Sequence, residues 1–167
     1  MLVNSIEIKV KKNDAIKYIL RKTPLISKIN QFNRKIENIH LEFVECKILK
    51  YEIISRRKHK NNFRCDEFKH NIIMMVNTYN GHSESINSVP KTIERYIAKS
   101  CIKKSNIQED YIIEKVKNEI IHHFDNKIAN ISLDNRNIKS IKLLEAYSIY
   151  KPYWIGIYNG REIFVEA

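Results

Sequence analysis

The chain has 167 residues, 43% of them hydrophobic, and carries 30 Lys/Arg against 19 Asp/Glu, a net charge of +11. That length and apolar content support one compact domain spanning residues 1–167, with halves at 1–88 and 89–167 as the finer division. Only three glycines occur, Gly81, Gly156 and Gly160, which excludes the glycine-rich turns that P-loop and dinucleotide sites need to bring backbone amides against phosphate.

In chain order, Ile6, Ile8 and Val10 alternate with Glu7, Lys9 and Lys11, and period two predicts a first strand with one buried face. Asn13 is placed to cap a helix carrying Ile16, Ile19 and Leu20, stopped by Thr23-Pro24. Residues 25–35 read equally as a short helix or a loop. Residues 39–54 read as a long strand, 55–70 as a polar, basic connection, and 71–79 as a returning strand. Asn80-Gly81 signals a turn, with a further strand from His82 to Ile86.

Residues 88–104 space Ile93, Tyr96, Ile97 and Cys101 as a helix would, with Pro90 near its start. Ser105-Asn106-Ile107-Gln108 matches a capping box and opens a helix with Ile113, Val116, Ile120 and Phe124 as its apolar stripe. Residues 125–140 read as irregular, with a short strand around Ile131. From Leu143 the chain reads as strand again, and Asn159-Gly160 predicts a two-residue hairpin turn. The expected fold class is therefore α+β, a mainly antiparallel sheet with about three helices. Residues 43–52 lie over 149–158 as two strand-like runs, each following a helix-like segment. That echo suggests a duplicated, pseudo-symmetric α-β-β unit.

No apolar run approaches the length of about eighteen residues that a membrane helix needs. The first residues do not follow the basic, apolar, small-residue succession of a leader, so the chain reads as cytoplasmic. Cys46, Cys65 and Cys101 are odd in number and lack CxxC spacing, which argues against a disulfide framework. The helix, strand, turn, strand order of residues 13–86 and 106–167, with Ile72 to Val76, Asn77 and Gly81 in the first copy, resembles PepSY-type modules. That resemblance implies small extracytoplasmic domains often linked to peptidase inhibition, a setting at odds with the cytoplasmic reading. The acidic residue such modules carry before the turn falls at Asn77 here, a departure from the pattern.

Four clusters are candidates for function. Glu45-Cys46-Lys47 looks like the E-x-K of restriction-endonuclease-like nucleases. That likeness implies a carboxylate holding a divalent metal and a lysine facing phosphate. The acid expected on a preceding strand has only Glu37 and Glu42 as stand-ins. The other reading is a face switch that turns Glu45 and Lys47 to solvent, with Val44, Cys46 and Ile48 inward. Arg56, Arg57, Lys58, Lys60 and Arg64 form a basic run suited to gripping nucleic-acid phosphates. His59, Cys65 and His70 are zinc-ligand types whose spacing matches no common finger. Tyr150, Tyr153, Trp154 and Tyr158 lie in a strand that Pro152 marks as bulged or at an edge, where a peptide strand can add.

The leading expectation is a non-enzymatic binding or regulatory module that engages a protein or peptide at that aromatic strand. The alternatives are nucleic-acid binding through residues 56–69 and a metal-dependent nuclease at Glu45 and Lys47. No catalytic residue, metal site or cofactor is assigned.

Overall fold

A computed structural model describes residues 1–22, 37–58, 65–130, 136–158 and 161–167. The fold is α+β, with a mixed, mainly antiparallel sheet. The strands are β1 (Leu2–Ile6), β2 (Glu37–Lys58), β3 (Cys65–Asn77), β4 (Ser83–Ile86), β5 (Thr92–Tyr96), β6 (Ile102–Lys103), β7 (Arg136–Tyr158) and β8 (Arg161–Glu166). The helices among the described residues are α1 (Lys12–Lys22) and α2 (Glu109–Asn130), with one 3-10 turn at Lys99–Cys101. That is two α-helices where the sequence suggests about three.

The chain divides into two compact units. Unit 1 is Met1–Glu45, Pro90–Lys104 and Ile149–Ala167; unit 2 is Cys46–Val89 and Ser105–Ser148. The long strands β2 and β7 contribute to both.

In unit 2 the strand order is β4-β3-β2-β7. The hairpin of β2 and β3 pairs antiparallel from Cys46↔Asn77 to Lys58↔Cys65. Its core joins Leu49, Tyr51 and Ile53 of β2 and Met74 and Val76 of β3 to Ile112, Val116 and Ile120 of α2. Residues two apart share a strand face and residues four apart share a helix face. The strand and helix periods therefore meet along one apolar seam. The Tyr51 hydroxyl donates to the Ile113 carbonyl at 3.1 Å, and burial pushes its pKa up.

At the end of the hairpin, the Asn77 side-chain oxygen accepts the amides of Tyr79 (2.9 Å) and Asn80 (3.2 Å). An acidic side chain at that position would accept the same two bonds. Gly81 follows at φ 71°, a conformation that costs residues bearing a Cβ. Its carbonyl takes a hydrogen bond from Lys115 at 2.6 Å.

In unit 1 the order is β2-β7-β1-β5, with β6 beside β2 and β8 beside β7. β1 pairs antiparallel with β5 from Leu2↔Tyr96 to Ile6↔Thr92. It meets β7 in parallel at Ser5↔Tyr150. Ala15 and Ile19 of α1 are fully buried, and the helix lies against β8. Val3, Phe43 and Ile97 form a second cluster, with Ile8, Leu41, Ile102 and Tyr150 packed around it.

Several expectations are corrected. The first strand stops at Ile6, where its ladder with β5 ends at Ile6↔Thr92, and the Lys11 carbonyl then accepts the amides of Asp14 and Ala15 at 3.0 Å. The helix so started contains Asn13 rather than being capped by it. Residues 88–104 are not a helix. The spacing of Ile93 and Tyr96 mimics a helical face, yet both are exposed and lie on β5, where β-branched Thr92 and Ile93 pair with β1.

Ser105 does not cap α2. Its hydroxyl oxygen accepts the Ile107 amide at 3.3 Å, and the Gln108 carbonyl accepts the first helical bond, from Ile112. The buried stripe accordingly starts at Ile112, with Ile113 only half-buried. Residues 55–58 and 65–70 are arms of the β2–β3 hairpin, not connection. α2 runs on to Asn130 and β7 begins at Arg136, where the sequence suggests irregular chain. Residues 25–35 and Ile131 lie outside the described residues. So does the Asn159-Gly160 turn, although the pairing Tyr158↔Arg161 brackets it with two residues.

Candidate functional site

The basic hairpin is laddered with acids. Arg56 Nε donates to Glu67 Oε1 at 2.8 Å, and Lys139 of β7 donates to the same oxygen at 2.8 Å. The hydrogen bond from Lys139, then that from Arg56, holds the Glu67 carboxyl below the usual carboxylate range. Lys69 pairs with Glu52 across the strands, and the register sets Asp66 opposite Arg57. Cross-strand charges of opposite sign satisfy one another. Arg57 and Lys58 lie on β2, but their side chains, like Lys60, Arg64 and His59, lie outside the described residues. Lys139 and Glu52 escape sequence reasoning because only strand pairing brings them here.

The aromatic side chains are half-buried and have partners within unit 1 where they are described. Trp154 Nε1 donates to the Val10 carbonyl at 2.7 Å. Tyr150 packs on the Val3-Phe43-Ile97 cluster. Tyr153 meets Phe164 edge to face at 6.0 Å, with the Lys151 ammonium 5.7 Å from its ring centre. The Tyr158 side chain lies outside the described residues. The sheet edge expected at this strand is absent, because β7 lies between β2 and β1 and also pairs with β8 from Tyr153↔Glu166 onward. Pro152 sits between the Ser5↔Tyr150 bridge and the β8 ladder. Its carbonyl accepts the Ala167 amide at 3.0 Å, so its missing donor falls where one partner strand gives way to the next.

Glu45 and Lys47 are half-buried. Both apolar sets of β2 are covered: Phe43, Leu49, Tyr51 and Ile53 on one parity, and Val44, Cys46 and Ile48 on the other. Lys47 Nζ pairs with Glu109 of α2 at 2.8 Å, so a phosphate approaching it would compete with a carboxylate already in place. Among the described residues no group of three or more His, Cys, Asp and Glu is placed to hold a metal ion. Cys46 and Cys101 are free thiols.

A different group of cations stands out in unit 1. Lys9, Lys11, Lys12, Arg21, Lys91, Lys99, Lys104 and Arg161 are exposed, and none has an ion pair among the described residues. The Ile6↔Thr92 pairing brings the chain leaving β1, with Lys9, Lys11 and Lys12, to the same end of the ladder as Lys91. Tyr96, 83% exposed, lies at the opposite end beside Leu2. Tyr18 projects from α1 at 50% exposure. Sequence reasoning misses this group because its members come from separate stretches, none of them a run as dense as residues 56–60.

Lys103 behaves in the opposite way. It is paired with Glu162 at 2.9 Å and lies 3.6 Å from Glu42, within an internal network of unit 1. Matching the chain to protein-family models, to curated proteins and to solved structures finds no similar protein.

Proposed function

We propose that this protein is a non-enzymatic nucleic-acid-binding module whose binding surface is the end of the β1–β5 ladder in unit 1 that carries Lys9, Lys11, Lys12 and Lys91. The observation that supports this reading is that Lys9, Lys11, Lys12 and Lys91 are exposed at one end of the β1–β5 ladder without acidic partners among the described residues. A cation already held by a carboxylate gains little from phosphate, whereas an unheld one releases condensed counterions when it binds. Tyr18, exposed on the helix that begins at Lys12, offers flat apolar area on which an unpaired base can stack.

The test is a titration of single-stranded and duplex oligonucleotides over a range of salt, with wild type beside the triple variant Lys9→Glu, Lys11→Glu, Lys12→Glu. The slope of log K against log salt should become shallower by about three in the variant, one unit for each lysine that no longer meets a phosphate. An unchanged slope sinks the assignment to this surface. No binding by wild type at low salt sinks the function.

A second reading keeps a peptide partner but moves the edge. β5 ends the strand order and exposes Ile93 and Tyr96, so an extended peptide would add there rather than at β7. A cytoplasmic setting is proposed with both readings, in keeping with the free thiols of Cys46 and Cys101. The duplication is likewise a proposal. It is supported by α1-β2-β3 and α2-β7-β8 following one another in the same helix-then-hairpin order, the order on which the likeness to PepSY-type modules also rests.

A further inference from the structure

We infer that a second copy of this chain is a partner, taken up by exchange of halves about the hinge at residues 87–91. Some of the strand pairings are local. β2 with β3, β3 with β4, and β7 with β8 are hairpin neighbours inside one half. Every other strand pairing among the described residues joins the two halves: β1 with β5, β1 with β7, β6 with β2, and β2 with β7.

The helices follow the same rule. The hairpin core of residues 49–76 is closed by Ile112, Val116 and Ile120, which come from the second half. In return, α1 from the first half lies against β8 of the second, and the Val10 carbonyl receives Trp154. Each half thus supplies the helix that completes the other half's hairpin.

The two arrangements match in detail. Laying residues 43–52 over 149–158 puts Val44 on Tyr150. Val44 bridges Lys103 in parallel, and Tyr150 bridges Ser5 in parallel. The helix α1 starts seven residues after Ser5, and α2 starts six after Lys103. Two equivalent halves that complete each other need not lie on one chain. Residues 92–167 of one copy can complete residues 1–86 of another with all the same pairings, and only the path of residues 87–91 changes. Asn87, Ser88 and Lys91 of that segment are exposed and Pro90 stiffens it, the setting in which exchange comes at low cost.

The experiment uses two full-length variants, Val116→Asp in α2 and Leu49→Asp in β2, each carrying a different affinity tag. Each alone breaks its own unit 2 core. Unfolded together and refolded at high concentration, the doubly tagged species should contain one unit 2 built from two unmutated parts. It should regain half of the wild-type unfolding amplitude of unit 2, and deleting Ser88 and Val89 should raise its yield.

A mixture that holds no doubly tagged species, or whose unfolding is the sum of the separate variants, overturns the inference. If the Asp variants collapse altogether, the pair Val116→Ala and Leu49→Ala decides it. The mixed dimer then melts in two steps, one at the wild-type temperature and one below either single variant. Two transitions equal to those of the single variants overturn the inference.

Discussion

The two units divide the charge of the chain unequally, and they handle it differently. Lys and Arg outnumber Asp and Glu by 16 to 8 in unit 1 and by 14 to 11 in unit 2. In unit 2, Lys47, Lys50, Arg56, Lys69, Lys115 and Lys139 are each held by a glutamate. The hydrogen bond from Lys50 to Glu145 raises the lysine's pKa. In unit 1 eight exposed cations, Arg161 among them, have no such partner among the described residues, against two in unit 2, Lys117 and Lys142. A basic run in sequence is therefore a poor guide to a basic surface. Arg56, which opens the dense run, lies in a strand pair that brings Glu67 to it, whereas the scattered Lys9, Lys11, Lys12, Lys91, Lys99 and Lys104 meet no acid among the described residues.

The most forceful way to break the comparison is to remove the core of one unit and watch the other. Leu49 is fully buried in the unit 2 cluster, and Leu49→Ala should cost about 2–5 kcal/mol in transfer and cavity terms. Hydrogen exchange read residue by residue should show lost protection along β3 and α2 while the β1–β5 ladder keeps its own. Equal loss in both would mean that the units unfold as one.

The next largest effect is on binding. Reversing Lys9, Lys11 and Lys12 should weaken nucleic-acid affinity in low salt by well over about tenfold, since every phosphate left without its cation removes nearly one unit of salt slope. Reversing Arg56 and Lys69 together should leave that slope within a few tenths. If the hairpin variant loses affinity and the unit 1 variant does not, the assignment is inverted.

Gly81→Ala sharpens the contrast within unit 2 alone. A Cβ there would sit 2.7 Å from Ile107 Cδ1 and would occupy a backbone conformation at φ 71°. The left-handed strain alone amounts to about 1–2 kcal/mol, and urea unfolding should show at least that loss. A neutral result would mean that the turn shifts to a conformation with negative φ.

How far the sequence discloses this molecule depends on whether the deciding interactions are local. The strand stretches 39–54 and 71–77, the β7–β8 hairpin and the middle of α2 are legible, because period and apolar spacing lie within each element. β5 reads as helix instead, since Ile93, Tyr96 and Ile97 fit a helical stripe. The β1 partner that makes the segment a strand lies about ninety residues away. The candidate site is hidden for the same reason. Arg56 and Lys58 are conspicuous in the sequence, whereas Glu67 faces Arg56 only through strand register, and Lys139 arrives from β7. Trp154 has the look of a binding residue because its partner, the Val10 carbonyl, is on the other side of the chain's length.

The finest test is the pairing itself. Glu67 is exposed, so its ion pairs contribute little to stability, but they decide whether Arg56 and Lys139 are available. Its folded pKa is depressed, by Lys139 first and Arg56 second. What stability it gives is present above the ordinary carboxylate pKa of about 4.3 and is lost as pH falls through the lower folded value. Glu67→Gln should remove that acid limb and leave neutral-pH stability nearly unchanged. It also releases two cations beside the exposed end of the β2–β3 hairpin. If pairing is what keeps unit 2 from binding, the variant should bind nucleic acid more tightly, with a salt slope steeper by up to about two. An unchanged slope would mean that geometry rather than neutralisation excludes the hairpin. The exposed cations of unit 1 would then need a shape argument as well as a charge argument.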